Sequence, residues 1–299
     1  MANFTSINLD LQAVAKRTYE NIYYESTFMN FLDESWMQVA RSTGTPIIEV
    51  VKQIAPTITK RSNVEITTAL TPSLTTYNSI KVDLTELPLD YSFSISPLMI
   101  GSNIEGTLEG QMRLKDSAIA TEIDKYGYGK LNTAIVGKTD GSEAYTDGQV
   151  VVWAPAEQQD YIDLLNSYKM TLFNRNITNG YMLGLEAVQY GNLVSALTSI
   201  LKYETRAGVE GVDKGVVANA YGVDIFPINT SVIGTGVLGY FANKIACVGD
   251  MFFDAMAQYN GNYPGLPGYF VLEGNILFGA EVVRPEAILK LAATAVTGE

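Results

Sequence analysis

The longest helical pattern in the chain spans residues 102–137. Within it, apolar side chains recur every three or four residues, as on one face of an α-helix. These apolar positions are Ile104, Leu108, Met112, Ile119, Ile123 and Tyr126. The opposite face carries Gln111, Arg113, Lys115, Asp116, Glu122 and Asp124. Ser102 and Glu105 have the spacing of a capping box, and Gly137 suits the C-terminal end. We predict one amphipathic helix, roughly 50 Å long.

Two pairs of glycines modify this prediction. Gly127 and Gly129 each cost about 1 kcal/mol relative to alanine inside a helix, so we expect a bend or an interruption near them. Gly106 and Gly110 form a G-x-x-x-G pattern, which in an apolar segment favours association of membrane helices. Because their neighbours are polar, the pattern here predicts close packing of a helix in a water-soluble protein.

Before the helix, apolar and polar residues alternate with a period of two, which indicates half-buried strands. One run contains Ile80, Val82 and Leu84. A second run, Leu89, Tyr91, Phe93 and Ile95, alternates strictly with Asp90, Ser92, Ser94 and Ser96. Residues 57–76 are polar, rich in threonine and weakly periodic. They fit an extended hairpin that projects from the body, and an ordinary surface meander fits almost as well.

The first 41 residues have no evident core of their own. Aromatic and aliphatic residues recur at loosely helical intervals over residues 18–39. We interpret this segment as an arm with one or two short helices that lies along another part of the protein. The alternative is that it forms the first helices of the main domain.

A turn-rich segment with two Asp-Gly pairs, residues 138–148, marks a boundary after the long helix. The patterns that follow predict a helix over 157–173, a strand over 181–188, a helix over 193–201, a strand within 218–228, a helix or strand over 246–259 and a turn over 263–268. Pro227 restricts its strand to an edge or an end. Residues 269–283 predict strands broken at 273–275, and residues 284–288 close the fold.

Composition narrows the class of protein. Hydrophobic residues make up 47% of the chain, and charged residues only 17%, against a usual value of about 25%. Together with 18 tyrosines, this suggests either a surface hidden against partners or a large ordinary core. The formal charge is −12 and basic residues form no run, so we do not expect the chain to bind duplex DNA directly.

The residues of common active sites are sparse. The chain has no histidine, which removes the commonest general base and zinc ligand. The single cysteine, Cys247, lies in an apolar run, so we expect a buried thiol and a reducing compartment. Tyr126 and Lys130 form a Y-x-x-x-K pair without a glycine-rich nucleotide-binding motif, which we attribute to chance. We predict no cofactor, metal, signal peptide or membrane span. An enzyme with a carboxylate or Ser-Lys site stays an alternative without positive support.

The order of elements resembles that of the major capsid proteins of tailed bacteriophages, whose Johnson fold is shared with encapsulin shells. Two places carry the likeness. The first is the strand over 89–95, which runs through Ser96, Pro97, Leu98 and Met99 into the long helix. The second is the ending Val282-Val283-Arg284-Pro285-Glu286-Ala287.

The resemblance implies an α+β fold in four parts. These are an N-terminal arm (1–41), an extended β-hairpin loop (42–98), a peripheral domain containing the long spine helix (99–144 and 269–299) and an axial α/β domain (145–268). It also implies a structural, non-enzymatic subunit that self-assembles through pentamers and hexamers into an icosahedral head around double-stranded DNA. Assembly would take place in the host cytoplasm and the product would be part of the virion, with scaffolding, portal or decoration proteins as further partners. An encapsulin-like compartment is the alternative within this fold.

Charge suggests where copies would touch. A polar hairpin has too few apolar groups to hold itself in place, but a neighbouring subunit could hold it, and interlocking copies multiply weak contacts. We predict that Lys60 and Arg61 meet acidic residues of an adjacent copy, with Glu105, Glu109 and Asp116 as the candidates. Exposed pairs are worth about 0–1 kcal/mol each, and the alternative is that these charges face solvent.

Overall fold

The computed structural model describes residues 10–33, 47–53, 77–135, 150–201 and 218–293. The α-helices in chain order are α1 (Leu11–Glu25), α2 (Pro97–Ile135), α3 (Gln158–Asn174), α4 (Ala187–Leu201) and the single turn α5 (Thr230–Ile233). The strands are β1 (Ile47–Gln53), β2 (Tyr77–Asp83), β3 (Leu87–Ile95), β4 (Val150–Val152), β5 (Tyr181–Glu186), β6 (Ala218–Ala220), β7 (Val223–Ile228), β8 (Val237–Asn243), β9 (Cys247–Tyr263), β10 (Leu266–Val282) and β11 (Ile288–Ala292). The predicted mixture of helix and sheet is confirmed.

Helix α2 is the long helix that the sequence predicts, but it begins earlier. It has 39 residues, which corresponds to roughly 58 Å. Pro97 occupies its first position, where the missing N–H costs nothing. Ser102 therefore lies inside the helix, and the predicted start at a capping box is wrong. Gly137 lies outside the described residues.

The glycines of α2 do not act as predicted. The helix is continuous through Gly127 and Gly129, so an interruption there is wrong. Gly127 is buried, and a Cβ at this position would overlap the ring of Phe28; the glycine lets that ring approach the helix backbone. Gly106 and Gly110 are exposed, and a Cβ at Gly110 would meet nothing within 4 Å. The predicted close packing at this pair is therefore wrong as well.

A three-stranded antiparallel sheet, in the order β3-β10-β9, packs on α2. Strands β9 and β10 have 17 residues each and form a long hairpin whose turn contains Pro264 and Gly265, the latter with φ of +84°. The predicted break at 273–275 is wrong. Gly274 pairs with Tyr91 on one side and Met256 on the other, and two ladders hold the strand together. The pairing of β10 with β9 shifts its register between Asn275 and Ile276, but the strand continues through this point.

The strands before α2 follow their period-two pattern. In β3, Tyr91 and Ile95 are buried while the intervening polar residues are exposed. Strands β1 and β2 pair antiparallel from Ile47↔Asp83 to Gln53↔Tyr77. Their apolar residues form a small cluster with β9 and the end of β10, comprising Ile48, Val50, Val82, Leu84, Val248 and Val283. The predicted projecting hairpin tip and both its basic residues lie in 54–76, outside the described residues.

The second large sheet of the protein is mixed and has six strands in the order β4-β11-β8-β5-β7-β6. Helix α3 agrees with the predicted helix. Strand β5 ends at Glu186 and α4 begins at Ala187, so α4 starts six residues before its predicted start and includes the last two residues of the predicted strand. Pro227 lies near the end of β7, beyond the last residue that pairs with β6, as predicted. The ambiguous residues 246–259 belong to strand β9. Residues 284–288 do not close the fold as predicted, because strand β11 follows the turn Pro285–Ala287.

The two sheets share one core with α2 and the residues after α1. Aromatic rings meet edge to face there, with Phe31 contacting Tyr128, Phe226 and Tyr240. Helix α1 itself lies along α2, as expected of a segment without its own core. The short turn Phe28–Phe31 enters the main core, as the alternative interpretation of this segment requires. The start of the chain therefore has both roles.

Strand partners cross the domain boundaries expected from the resemblance. Strand β9 lies in the segment assigned to the axial domain, yet it pairs with β10 and extends the sheet of α2. Strand β11 lies in the segment assigned to the peripheral domain, yet it joins β4 and β8. A division by sheets therefore differs from a division at residue 268.

Candidate assembly surface

Charged residues of α2 that the helical pattern assigns to solvent are buried instead. Lys115, Asp116 and Asp124 are 9%, 0% and 6% exposed, because α1 covers that flank of the helix with Thr18 and Ile22. The expectation that they lie on an exposed face is therefore wrong. We call this polar contact between α1 and α2, including residues 26–28, the α1–α2 seam.

Asp124 is the centre of the seam. Its Oδ1 accepts hydrogen bonds from Ser26 Oγ at 2.6 Å and from the Phe28 backbone N–H at 2.9 Å. Its Oδ2 accepts from Thr27 Oγ1 at 2.9 Å and from the Thr27 N–H at 3.2 Å. Burial raises the pKa of Asp124, and these four bonds oppose that shift by stabilising the carboxylate. The carboxylate thus fixes the chain where it leaves α1 and enters the core.

A buried ion pair forms the middle of the seam. Lys115 Nζ lies 3.0 Å from Asp116 Oδ1 and donates to Thr18 Oγ1 at 2.9 Å. Asn21 Nδ2 donates to the other carboxylate oxygen of Asp116 at 2.7 Å. The ammonium also lies 4.4 Å from the ring centroid of Tyr91. Burial lowers the pKa of Lys115, and the charge of Asp116 opposes this effect. Asp116 therefore has partners within its own subunit and no exposed surface.

The other predicted contact residues differ in accessibility. Glu109 is exposed, but it already accepts from Arg17 at 2.8 Å and Arg113 at 3.2 Å. The hydrogen bond from Arg17, followed by the charge of Arg113, lowers the pKa of Glu109. Glu105 lies in α2, and its side chain is outside the described residues, as are Lys60 and Arg61 entirely. The predicted contact between copies stays a prediction, with Asp116 accessible only if α1 leaves its position.

The Y-x-x-x-K pair takes part in a structural cluster. Lys130 Nζ lies 2.6 Å from Glu86 Oε2 and 2.9 Å from Glu281 Oε2, and Tyr126 donates its hydroxyl to Glu86. Burial and then the hydrogen bond to Glu86 raise the pKa of Tyr126 to about 12. A tyrosine general base would need a pKa shifted toward neutrality. The cluster instead ties α2 to β10 and to the turn before β3.

The single cysteine lies in the core. Cys247 is buried, as predicted, and burial raises the pKa of its thiol, which keeps it a poor nucleophile. Within the described ranges, no three His, Cys, Asp or Glu side chains lie together as metal ligands would. None of the helices that the structure describes is both long and apolar enough to cross a membrane.

Large apolar side chains lie exposed on the outer face of α3. Met170 is 57% exposed and Phe173 is 54% exposed, and their spacing of three places them side by side on the helix. Further exposed apolar residues are Tyr24, Ile47, Leu114, Val152, Val188 and Ile245. They lie on α1, β1, α2, β4, α4 and the turn between β8 and β9, so contacts with other molecules could form on several sides of the subunit.

An open cavity of about 410 Å³ lies on the three-stranded sheet. It is lined by Asp90, Tyr91, Ser92, Met256, Ala257, Glu273, Gly274 and Asn275. All of these residues lie in the register rows around Gly274, where β3, β10 and β9 run side by side. Sequence reasoning did not find this place, because the residues come from three separate segments.

Comparison with known proteins gives a fold but no family by sequence. No protein-family model matches the chain, and no curated protein matches it. Its structure is similar to a chain of Mycobacterium phage Che8, with 16% identity, a TM-score of 0.58 and coverage of 89% of this chain and 90% of that chain. It is also similar to the capsid structure of Cyanophage P-SCSP1u, with 16% identity, a TM-score of 0.59 and coverage of 83% and 84%. The mature capsid of bacteriophage PhiM1 matches with 13% identity, a TM-score of 0.54 and coverage of 83% and 82%.

These likenesses concern the fold. They extend over more than four fifths of both chains in each case. The chain has the Johnson fold of tailed-phage capsid proteins, and the fold prediction is confirmed.

Proposed function

We propose that this chain is a major capsid protein that self-assembles into the icosahedral head of a tailed phage and encloses double-stranded DNA. The observation that carries the proposal is the fold shared with phage capsid chains over more than four fifths of this chain. The role is structural, and the product belongs to the virion after assembly in the host cytoplasm.

The shape of the secondary structure supports a tile-like subunit. Helix α2 has 39 residues, whereas helices of globular proteins average about 11–12. Strands of 17 residues are likewise far longer than the usual five or six. Such elements can join contacts on opposite sides of a subunit. Exposed apolar side chains such as Met170 and Phe173 would lose contact with water in an assembly.

We propose that each large sheet belongs to one domain of the subunit. We assign α2 with β9 and β10 to the peripheral domain, where β3, at the end of the extended loop, adds a strand to the sheet. We assign the six-stranded sheet with α3 and α4 to the axial domain. The axial domains would meet in pentamers and hexamers. Residues 1–41 would form the arm, and residues 42–98, which include β1 and β2, would form the extended loop. Scaffolding, portal or decoration proteins would be further partners.

Charge fits the proposed contents. The net charge of −12 disfavours tight binding to phosphates, so an acidic inner surface would let packed DNA move without adhering. The DNA would be enclosed without sequence-specific recognition.

Sedimentation velocity tests this proposal. The chain is expressed alone and together with the reading frames that flank its own, and the product is then treated with nuclease. We expect particles of megadalton mass from the expressed chain. Particles purified from a phage-infected host should in addition contain DNA that is protected from nuclease. Particles filled with a protein cargo would instead indicate an encapsulin-like compartment. A chain that stays a monomer or small oligomer under every condition would overturn the proposal.

A further inference from the structure

The β1–β2 ladder is a small sheet of its own that is attached to the body near one end. In the part of the chain that the structure describes, β1 and β2 pair only with each other. Their ladder runs from Gln53↔Tyr77 to Ile47↔Asp83, and residues 84–86 connect the Asp83 end to β3. A two-stranded ladder is at best marginally stable alone. Contacts at the Asp83 end therefore decide the direction in which the ladder projects.

The first of these contacts is a close approach between backbones. A Cβ on Gly279 of β10 would lie 1.9 Å from the carbonyl oxygen of Asp83 and 2.7 Å from the Cα of Leu84. On the next strand, a Cβ on Gly249 would lie 2.5 Å from the carbonyl oxygen of Gly279. Because both positions are glycine, the end of the ladder rests directly on the backbone of β10.

The second contact is polar and uses the turn after Asp83. Lys130 Nζ on α2 lies 2.6 Å from Glu86 Oε2 in this turn and 2.9 Å from Glu281 Oε2 on β10. Tyr126, one helical turn before Lys130, donates its hydroxyl to the same oxygen of Glu86. The side chain of Lys130 is 27% exposed and that of Glu86 is 39% exposed. One ammonium group therefore joins the turn to both the long helix and the long hairpin.

The turn itself is held in one shape, so that a movement of Glu86 also moves the ladder. Asp83 Oδ1 accepts hydrogen bonds from the Thr85 N–H at 2.8 Å and from Thr85 Oγ1 at 2.7 Å. These two bonds close a short turn between the last residue of β2 and Glu86. The ladder and the glutamate are thus parts of one local unit.

We propose that Glu86, Tyr126, Lys130 and Glu281 form a latch that fixes the direction of the β1–β2 ladder in the free subunit, and that acid opens this latch. The proposal concerns a single subunit, so it does not require the proposed function to be right. If the chain does assemble, a ladder that is already held in one direction loses less conformational entropy when it meets a partner.

The pH dependence follows from the groups that face Glu86. These are Lys130 and Tyr126 on α2, Glu281 on β10 and Asp83 on the turn. Hydrogen bonds from Lys130 and then Tyr126 lower the pKa of Glu86 from 4.5, although burial and the charge of Asp83 oppose this shift. A carboxyl group with a lowered pKa contributes stability that is present above 4.5 and is lost as pH falls through the lowered value.

The lysine does not titrate in this range. Burial disfavours its charge, but the hydrogen bonds to Glu86 and Glu281 outweigh that effect and raise the pKa of Lys130. The ammonium therefore stays charged at neutral and acid pH. Protonation of the carboxylates removes its partners, so the latch is closed at neutral pH and open in acid.

Distance measurements between two spin labels on the dilute, unassembled subunit test the latch. The labels are attached to Ser79→Cys on β2 and Ala118→Cys on α2, which are both exposed, while the native Cys247 is buried. We expect one narrow distance distribution at neutral pH. A second, broader distribution should appear as the pH is lowered stepwise to about 3, below the usual pKa of a glutamate. Circular dichroism at each pH shows whether the subunit is still folded.

Variants at neutral pH make the test independent of acid unfolding. Lys130→Met keeps the length of the side chain but removes the charge, and it should raise the ratio of open to closed ladders roughly fivefold. Glu86→Gln should have a similar effect and should also make the acid response of the distances smaller. Lys130→Arg should resemble the wild type. The control is Lys125→Met, since Lys125 pairs only with Glu122 on the exposed face of α2, and its distances should not change.

Two results would overturn the proposal. One is a narrow distribution, identical to that of the wild type, in both Lys130→Met and Glu86→Gln at neutral pH. The other is an acid response of undiminished size in Glu86→Gln, because acid would then act at a different place. Thermal unfolding of each variant shows that a changed distance comes from a folded subunit. Failure to assemble would overturn the proposed function and leave these distances unaffected.

Discussion

Replacing Asp124 by asparagine tests whether the α1–α2 seam holds the start of the chain. The variant keeps the size of the side chain but turns one carboxylate oxygen into an N–H donor. Each oxygen of Asp124 accepts one backbone N–H and one hydroxyl. Whichever oxygen is replaced, a backbone N–H of Thr27 or Phe28 loses its acceptor, while the hydroxyl can turn and accept.

The structure gives the size of the effect. A hydrogen bond to a charged group contributes about 1.5–3 kcal/mol, and a buried N–H left without a partner costs a further 1–3 kcal/mol or so. The variant also removes the cost of burying a charge, which offsets part of the loss. We expect a net destabilisation of about 2–4 kcal/mol. For a protein of 299 residues, that lowers Tm by roughly 3–6 °C.

Two measurements check this prediction. Chemical denaturation of the unassembled subunit gives the free energy of unfolding, and hydrogen exchange shows where protection is lost. Protection should fall first at the C-terminal end of α1 and in the turn Phe28–Phe31, because these segments depend on Asp124. Asp163→Asn, at an exposed position of α3, is the matched control and should change stability by less than about 0.5 kcal/mol. A similarly small effect for Asp124→Asn, with unchanged exchange in α1, would refute the reasoning.

Three further predictions follow from single contacts. Gly127→Ala should destabilise the subunit by about 1–3 kcal/mol in denaturant unfolding, because the new methyl group overlaps Phe28, whereas Gly129→Ala at an exposed helix position should stabilise it by up to about 1 kcal/mol; equal effects would contradict the packing. Burial, with the charge of Asp116 as a smaller cause, raises the pKa of Tyr91 from 10.0 to about 12. The contribution of the neutral tyrosine to the free energy of unfolding is therefore fully present below pH 10 and should be lost as pH rises through 12. Tyr91→Phe should make that alkaline decline shallower, and an identical decline would refute it. Cys247 should react with a thiol reagent only at the rate of unfolding, since it is buried; fast labelling of the native subunit would show that it is accessible.

Periodic elements could be predicted because local pattern and tertiary environment agree there. The strict alternation of β3 matches a strand with one face on α2, and the helical spacing of α3 matches burial of Tyr161, Leu165 and Tyr168. In both cases each element buries one continuous face. The sequence pattern alone therefore identifies the element and its inner side.

The seam could not be predicted from the sequence because a charged side chain on a helix usually indicates an exposed position. Asp124 directly follows Ile123, and Asp116 precedes Ile119 by three residues. Both aspartates therefore share the wider buried face of a helix that is covered on two sides. The signal that was available is the pair Ser26-Thr27, two hydroxyl donors directly after α1. Only the position of α1 shows that they meet Asp124.

The roles of Gly127 and Gly274 could not be predicted from the sequence either. Helix and strand propensities treat glycine as a weak point. In the structure, Gly127 admits an aromatic ring and Gly274 is held by ladders on both sides. Contacts between distant segments decided both positions, and a local pattern does not contain them.

Cryo-electron microscopy of the purified chain tests the central claim most directly. The account predicts closed icosahedral shells in which α2 and the β9–β10 hairpin of each subunit form a continuous layer, with pentamers and hexamers as the repeating units. Isolated compact subunits, or small oligomers that turn over a small molecule, would contradict it.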